Sequence, residues 1–390
     1  MKTRHFIILA TLTLLFAACR QEEVIYVPEQ VVVTQPELTD VNGFYLLNEG
    51  NMNSNKASLD YYDYATGTYT RDIYADVNPD VVKALGDVGN DIATYGNKLY
   101  IVVNCSNKIE VLDRNTARRI THIDIPNCRY IKFHGGYAYV TSYAGPVKID
   151  INYEQRGYVA KIDTATLQVV DTCVVGFQPD ELDIVNDKIY VANSGGYLLD
   201  QQSGNSGYET TVSVIDLPSF TEQNRIDIAP NLQYCRADRR GILWISSRGD
   251  YYETPGRLIA YDTRHNRVVK TIDLAVASMW MDGDSLYVLS GQWSYIGQTF
   301  GSNGYTIVNT KSMEIVCDNF ITDGTDARIT RPYGIAVNPV TKEIYVTDAR
   351  GYIVPGRLYC FSPDGKRRWD VRTGDIPAHF AFIGRNKNEH

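Results

Sequence analysis

The segment Leu99-Tyr100-Ile101-Val102-Val103-Asn104 decides the fold, because close variants of it occur seven times along the chain. Each copy places an aromatic residue after an apolar one, continues with two or three β-forming residues and ends on a small polar residue. The aromatic residues of the seven copies are Tyr45, Tyr100, Tyr139, Tyr190, Trp244, Tyr287 and Tyr345. Adjacent copies lie roughly 40–60 residues apart, the period of a four-stranded propeller blade. The repeat predicts an all-β protein, a seven-bladed β-propeller.

A second β-forming segment follows each copy and ends on a polar residue that begins a turn. These residues are Asp63, Asp113, Asp163, Asp216, Asp262, Asn309 and Ser362. Side chains of Asp, Asn and Ser at the first position of a turn bond the backbone two residues on, so we expect them to close hairpins. Because the feature recurs in every blade, we interpret these carboxylates as blade elements and not as metal ligands.

The inner strand of the first blade is missing from its expected place. A short β-forming segment precedes the later copies, whereas none precedes Tyr45, and an unpaired one lies near the other end of the chain at Ala378 to Ile383. We expect this C-terminal strand to complete the first blade and close the ring, which removes open sheet edges. Residues 43–385 then form one propeller of four-stranded blades, and residues 386–390 form a tail.

The N-terminus has the pattern of an export signal. Lys2 and Arg4 precede an apolar run from Phe6 to Ala18, which is too short to span a bilayer as a helix and has the length of a signal-peptide core. Small residues lead to Cys19, which resembles a bacterial lipobox with Cys19 as the lipidated residue. An ordinary cleavage site that contains a cysteine is the alternative. Residues 1–18 are therefore predicted to be a signal peptide.

Residues 19–42 are predicted to be the lipidated cysteine and a tether. The acidic pair Glu22-Glu23 behind Cys19 resembles the surface-export signal of lipoproteins in the Bacteroides group. The following stretch, Val24 to Asp40, contains two prolines and no partner strand in the repeat, as expected of a linker. We therefore expect a protein held by lipid at the cell surface, on the outer membrane.

The net charge of the protein argues against anionic partners. The formal net charge is −8, and loss of Lys2 and Arg4 with the signal peptide lowers it to −10. An acidic surface argues against nucleic acid and anionic lipid headgroups as ligands.

The six cysteines after Cys19 show neither CxxC spacing nor a histidine cluster, so a zinc site is not expected. An exported chain can form disulfides. Cys105 and Cys128 follow consecutive strands on what should be one face and are the best candidates for a pair. Small buried thiols are the alternative for the rest.

The loops that follow the repeated segment should share one face with the connections into the inner strands. They are long at 143–157, 194–210, 248–256, 291–303 and 349–356, and variable loops on a constant scaffold usually carry binding. We place a ligand site between 194–210, 248–256 and 291–303. The candidate residues are Asn193, Tyr197, Asp200, Arg248, Tyr251, Tyr252, Gln292, Trp293 and Tyr295. Tyr and Trp offer rigid contact area with a polar tip, although any single tyrosine could instead pack its loop onto a neighbour.

Catalytic patterns are absent from the sequence: it contains no GxSxG, HExxH, P-loop or GxGxxG motif. Among the histidines, only His379 should approach the face with the long loops, where a hydrogen-bonded structural role is the simpler interpretation. The pair Asp180-Glu181 is expected by coincidence among 46 acidic residues. We therefore predict a protein that is not an enzyme, with no catalytic residue, no metal site and no cofactor.

The seven segments and their partner strands resemble the YncE-like, surface-layer-type propellers over nearly all of residues 43–385. The lipobox, acidic signal, short tether and opening segment Gly43-Phe44-Tyr45-Leu46-Leu47-Asn48-Glu49-Gly50-Asn51 further resemble the BtuG surface lipoproteins of the Bacteroides group. That resemblance implies capture of cobalamin (vitamin B12) as a ligand and its delivery to a TonB-dependent outer-membrane transporter. It implies no individual contact residues. The alternatives are a surface module that binds glycan or protein, and a lactonase-like or glycan-cleaving hydrolase.

Overall fold

The computed structural model describes residues 29–384, except residues 38, 82–83, 147 and 201–205. The signal peptide at 1–18, Cys19 and the tail at 386–390 lie outside the described residues. Within them, seven antiparallel sheets form the blades of a ring, so the predicted all-β, seven-bladed propeller is confirmed. The helices in this part of the chain are too short to cross a bilayer.

Blades 2 to 7 each have four strands that follow one another in sequence from the axis outward, whereas blade 1 has five strands in the order β31, β2, β3, β4 and β1. Blade 1 contains β1 (Gln30–Val32), β2 (Val41–Asn48), β3 (Ser58–Asp63), β4 (Thr68–Thr70) and the C-terminal β31 (Pro377–Gly384). Blade 2 contains β5 (Gly89–Tyr95), β6 (Lys98–Val103), β7 (Lys108–Asp113) and β8 (Arg119–Asp124). Blade 3 contains β9 (Cys128–His134), β10 (Tyr137–Ser142), β11 (Tyr158–Asp163) and β12 (Gln168–Val174). Blade 4 contains β13 (Pro179–Val185), β14 (Lys188–Asn193), β15 (Thr211–Asp216) and β16 (Thr221–Asp227).

The remaining three blades repeat this order. Blade 5 contains β17 (Leu232–Ala237), β18 (Ile242–Ser247), β19 (Arg257–Asp262) and β20 (Arg267–Ile272). Blade 6 contains β21 (Val276–Asp282), β22 (Ser285–Ser290), β25 (Gly304–Asn309) and β26 (Glu314–Cys317), with the small hairpin β23 (Trp293–Ser294) and β24 (Thr299–Phe300) inserted. Blade 7 contains β27 (Pro332–Val337), β28 (Ile344–Asp348), β29 (Pro355–Phe361) and β30 (Arg367–Asp375). Short helices are α1 (Ile73–Val77) and a 3₁₀ turn at Thr325–Arg328.

The repeated segment is the second strand of every blade. In β6, every residue after Lys98 is buried, because this strand packs against neighbouring blades on both of its faces, and strands buried on both faces have continuous apolar sequences. The outer strand β12 is exposed at six of its seven residues. The core therefore follows the repeat around the ring.

One backbone hydrogen bond recurs in all seven blades. The residue just after the second strand donates its N–H to the carbonyl of a residue just before the inner strand of the same blade, over 2.8–3.2 Å. The pairs are Glu49 with Ile376, Asn104 with Val88, Tyr143 with Asn127, Ser194 with Gln178, Arg248 with Asn231, Gly291 with Ala275 and Ala349 with Arg331. This bond fixes the base of every long loop to the axis, so these loops share one face, here called the ligand face.

The turn residues behave as the sequence predicts. Asp163 Oδ1 accepts the backbone N–H groups of Ala165 at 2.8 Å and Thr166 at 2.9 Å, and these bonds lower the pKa of its carboxyl. The same contact is made by Asp63, Asp113, Asp216, Asp262 and Asn309. The carboxylates therefore act on their own hairpins.

The C-terminal strand closes the ring as predicted. β31 pairs antiparallel with β2, with Phe380 opposite Leu46 and Ala381 opposite Tyr45. β2 begins at Val41, two residues before the predicted start of the domain.

The tether prediction needs a correction. Within the segment expected to lack a partner, Gln30–Val32 adds to the outer edge of blade 1, with Gln30 opposite Thr70. β4 is only three residues long, and its outward edge has unpaired backbone groups that a passing segment can satisfy.

The disulfide prediction is wrong in this structure, where Cys105 and Cys128 are free thiols. Cys128 is buried, and its Sγ lies 3.3 Å from the carbonyl oxygen of Lys108 on β7, so it faces the neighbouring blade 2. Cys105 instead contacts Asn104 Oδ1 at 3.3 Å.

Ring closure can be tested by truncation. A chain that ends at Gly374 lacks β31, which buries Phe380, Ala381 and Ile383, and leaves one edge of β2 unpaired. We expect the free energy of unfolding to fall by at least about 4 kcal/mol, measured by urea denaturation. A chain that ends at Gly384 is the control and should unfold like the full chain. Equal unfolding curves for all three chains would contradict closure by β31.

Candidate functional site

The long loops of the ligand face bond to one another. Asp150 N–H donates to the carbonyl of Tyr197 at 2.9 Å, and Tyr295 N–H to that of Tyr251 at 3.0 Å. These bonds join the loop at 143–157 to that at 194–210, and the loop at 248–256 to that at 291–303. Two pairs of neighbouring insertions are therefore in direct contact.

Six rings from the three predicted loops form one continuous group. This aromatic surface consists of Tyr208, Tyr251, Tyr252, Trp293, Tyr295 and Phe300. Tyr295 lies at its centre, with ring centroids 6.0 Å from Tyr251, 5.2 Å from Tyr252 and 6.3 Å from Trp293. Tyr208 extends it at 6.4 Å from Tyr251, and Phe300 at 5.0 Å from Trp293.

The aromatic surface is open to solvent. Tyr252 and Tyr295 stack on each other with 40% and 45% of their areas exposed. Beside Trp293 and Phe300 lies a cavity of about 450 Å³, and the guanidinium of Arg331 lies 3.3 Å from the centroid of the Phe300 ring. Exposed aromatic area bordered by a cation suits a ligand with apolar faces and polar edges.

A second group, the axial cluster, lies where the inner strands begin. It consists of Arg129, Tyr143, Asp180, Gln233 and Arg248. Asp180 is fully buried; its Oδ1 accepts from Tyr143 Oη at 2.7 Å and Arg129 Nε at 3.2 Å, and its Oδ2 from Arg248 Nη1 at 3.2 Å. Arg248 Nε also donates to Gln233 Oε1 at 3.0 Å.

Tyr197 belongs to the edge of this cluster and not to the aromatic surface. Its ring lies edge-on to Tyr143 at 5.5 Å. Burial raises the pKa of the Tyr197 hydroxyl, while the nearby Arg129 guanidinium partly opposes the rise. Burial likewise raises the pKa of Tyr143, so its hydroxyl stays protonated and donates to Asp180.

On the other side of the axis, the Glu49 carboxylate makes hydrogen bonds with one side chain from blade 1 and one from blade 7. Its Oε2 accepts from Tyr333 Oη at 2.8 Å, and its Oε1 lies 3.0 Å from His379 Nε2. His379 therefore reaches the ligand face, as predicted, and is hydrogen-bonded there. Burial, followed by the Glu49 charge, raises the pKa of Tyr333.

Below these groups the axis contains a cavity of about 330 Å³. Glu181 in its wall is paired with Arg236 Nε at 2.9 Å and lies 3.9 Å from Lys132 Nζ. Met279 and Trp280 supply apolar wall. Across the described residues, no three His, Cys, Asp or Glu side chains converge as a metal site requires.

Asn193 and Gln292, two of the polar residues predicted to bind a ligand, instead make hydrogen bonds within the protein. Asn193 is fully buried and donates through Nδ2 to Thr211 Oγ1 at 3.0 Å and Ser213 Oγ at 2.9 Å. Gln292 accepts the N–H of Gly256 at 3.1 Å and donates to the carbonyl of Arg248. Both amides hold blades and loops together. Asp200 lies in its loop, partly buried.

Sequence reasoning missed Arg129 and dismissed Asp180 as one acidic residue among many. The sequence did contain a signal for them. Arg129 and Asp180 both lie on inner strands, where a charged side chain is close to the axis and must be paired or hydrogen-bonded when it is buried. Tyr143 and Arg248 could have been linked as well, because each directly follows the repeated segment of its blade.

Comparisons with known proteins support the fold. Residues 42–232 match the model of a family described as a domain of unknown function, DUF5074. No curated protein matches the sequence. A quinonprotein alcohol dehydrogenase-like protein from Bacteroides thetaiotaomicron VPI-5482 is 15% identical with a TM-score of 0.59, covering 90% of this chain and 80% of that one. Hydrazine synthase from Kuenenia stuttgartiensis is 16% identical with a TM-score of 0.54, covering 71% and 77%.

At these identities the solved structures show the propeller fold alone. The chain thus carries a DUF5074 match within a seven-bladed propeller, and its likeness to the BtuG lipoproteins stays a prediction.

The axial cluster gives a stability prediction. Tyr143→Phe removes the hydroxyl that donates to the buried Asp180 carboxylate, and a hydrogen bond to a charged group contributes about 1.5–3 kcal/mol. We expect the free energy of unfolding in urea to fall by that amount. The control, Tyr252→Phe on the exposed aromatic surface, should change it by less than about 0.5 kcal/mol. If the two variants are equally stable, the Tyr143 bond to Asp180 contributes nothing.

Proposed function

We propose that this protein captures cobalamin on the ligand face and passes it to a TonB-dependent outer-membrane transporter, without changing it chemically. The observation that carries the proposal is the continuous aromatic surface built by three consecutive blades. Cobalamin is a wide, flat, amphipathic disc edged with amide side chains. Exposed rings can cover its apolar parts, and polar groups at their edge can bond its amides.

The polar partners in this proposal differ from those expected from sequence. Asn193 and Gln292 hold the scaffold, so the amides of the ligand are bonded by Arg248, Asp200 and tyrosine hydroxyl groups. Because the Gln292 side chain joins the loop at 248–256 to its own, the aromatic rings are positioned before the ligand arrives. Such preorganisation lowers the entropic cost of binding.

The proposed location is the outer face of the outer membrane, through a lipid on Cys19. Nine residues lie between Cys19 and Glu29, where the described chain begins, and the ten Cα–Cα steps from one to the other span at most roughly 35 Å when fully extended. A short connection of this kind keeps the propeller beside a membrane transporter. The net charge of −10 without the signal peptide argues against nucleic acid as a partner.

A surface module for glycans is the second candidate, and one observation favours it. Tyr252 and Tyr295 form a shallow, exposed stack, and aromatic platforms of this shape can pack against the apolar faces of sugar rings. In that case the purified protein would give no heat with cobalamin, and its migration in a glycan-containing gel would be retarded unless Tyr295 is replaced by alanine.

Titration calorimetry with cyanocobalamin tests the first candidate. Trp293→Ala removes a ring that contacts both Tyr295 and Phe300, and loss of an aromatic anchor costs about 2–4 kcal/mol of binding, or roughly thirty- to a thousand-fold in Kd. Tyr137→Ala is the control, because Tyr137 starts β10 on the opposite face. Equal affinities of a folded Trp293→Ala variant and the parent would place the site elsewhere, and no binding by the parent would refute cobalamin as the ligand.

Lipidation is tested separately. Cys19→Ala removes the thiol to which the lipid would be attached, so we expect the variant to leave the membrane fraction when cells are fractionated without the transporter. Cys105→Ala is the matched control and should stay in the membrane fraction. Continued membrane attachment of Cys19→Ala would refute the lipid anchor.

A further inference from the structure

We propose that Arg129 and Arg248 form a binding site for an oxyanion, a phosphate or carboxylate group, at the centre of the ligand face. This site is separate from the six rings of the aromatic surface, although it shares Arg248 with the proposed capture site, and it does not depend on cobalamin being the large ligand. It consists of two guanidinium groups from blades 3 and 5 that approach opposite oxygens of the Asp180 carboxylate.

The charge around Asp180 does not balance. One fully buried carboxylate lies between two guanidinium groups, which are 15% exposed for Arg129 and 23% for Arg248. Tyr143 adds a neutral donor to the same carboxylate. One unit of positive charge is therefore left over in a largely desolvated place, where an anion interacts more strongly than in water.

Neighbouring carboxylates do not supply the missing negative charge. Glu181, next to Asp180 in sequence, accepts from Arg236 Nε at 2.9 Å and from the N–H of Cys235 at 3.0 Å. Glu49 is occupied by Tyr333 and His379. Each carboxylate near the axis thus has its own donors.

Donors on both arginines remain available. Arg129 uses only Nε, and Arg248 uses Nε and Nη1. In the part of the chain that the structure describes, the other three guanidinium nitrogens have no hydrogen-bond partner, and none is among the polar atoms sealed from solvent. Guanidinium groups bind carboxylate and phosphate oxygens through paired, charge-assisted hydrogen bonds.

Both arginines are held before an anion arrives. The Arg129 guanidinium lies 4.9 Å from the centroid of the Tyr143 ring and is anchored on Asp180. Arg248 is fixed by Gln233 and Asp180. Side chains already restrained in this way lose little rotamer freedom on binding.

Arg225 on β16 shows the opposite arrangement and serves as a control. Its side chain is 24% exposed, close to that of Arg248, but it faces two carboxylates. Glu222 accepts from its Nε at 2.8 Å and its Nη2 at 3.0 Å, and Glu209 lies 3.8 Å from its Nη1. The excess charge there is negative, so an anion is not expected to bind.

The test is titration of the full chain with inorganic phosphate and with acetate at low ionic strength, followed by calorimetry and by phosphorus NMR for phosphate. We expect saturable binding, with Arg129→Gln and Arg248→Gln each weakening it about tenfold or more, and Arg225→Gln leaving it unchanged. Binding of phosphate alone assigns a phosphoryl group, and binding of both assigns a general oxyanion site.

A second variant separates binding from folding. Arg248→Lys keeps the charge beside Asp180 but lacks the planar fork, so it should weaken anion binding while the near-ultraviolet dichroism stays native. Absence of saturable binding by the parent chain, or equal binding by the parent and the folded Arg248→Lys and Arg129→Gln variants, overturns the proposal. Cobalamin is absent from these titrations, so their outcome is independent of the capture proposal.

Discussion

The antiparallel pairing of β31 with β2 joins the two ends of the propeller, and the closed ring depends on it. Each blade is a twisted sheet whose two apolar faces must both be covered, and in a ring the neighbouring blades cover them. Without β31, blade 1 would lack its inner strand, and blades 2 and 7 would lose part of the surface against which they pack. Closure also leaves only the short outer edges exposed, one of which is paired by β1.

The ring buries charged residues of the inner strands near the axis, where an unpaired charge would be destabilising. Inner strands meet near the axis, so a carboxylate of one blade can bond a neighbouring blade: Asp183 Oδ2 accepts the N–H of Ala237 at 2.7 Å, and Asp91 Oδ2 that of Ile131 at 2.9 Å. Buried charges must be paired or hydrogen-bonded. These contacts hold adjacent inner strands in register, and they fix the positions from which the side chains of the axial cluster reach the ligand face.

The ligand face thus combines two kinds of surface. The aromatic surface lies on loops, whose residues can change without disturbing the strands of the blades. It can contact the apolar parts of a ligand. The axial cluster lies on or directly beside strands, is largely desolvated and carries an excess positive charge. A ligand that covers both would be oriented by its charge and held by its apolar area, since directed hydrogen bonds give orientation and buried area gives most of the affinity.

The sequence by itself determined the number of blades, the second strand of each, the turns capped by Asp163 and its equivalents, and the closing strand. These are local or periodic features, and a strand buried on both faces has a sequence that can be recognised alone. It also identified the three loops whose aromatic residues form one surface.

Only the tertiary structure decided which side chains on these loops are available to a ligand. Asn193 and Gln292 make hydrogen bonds within the protein, because each lies within reach of a backbone or hydroxyl partner that the sequence does not place beside it. Asp180 meets Arg129 and Arg248 across 51 and 68 residues of chain, and a contact of that separation exists only once the ring has brought blades 3, 4 and 5 together.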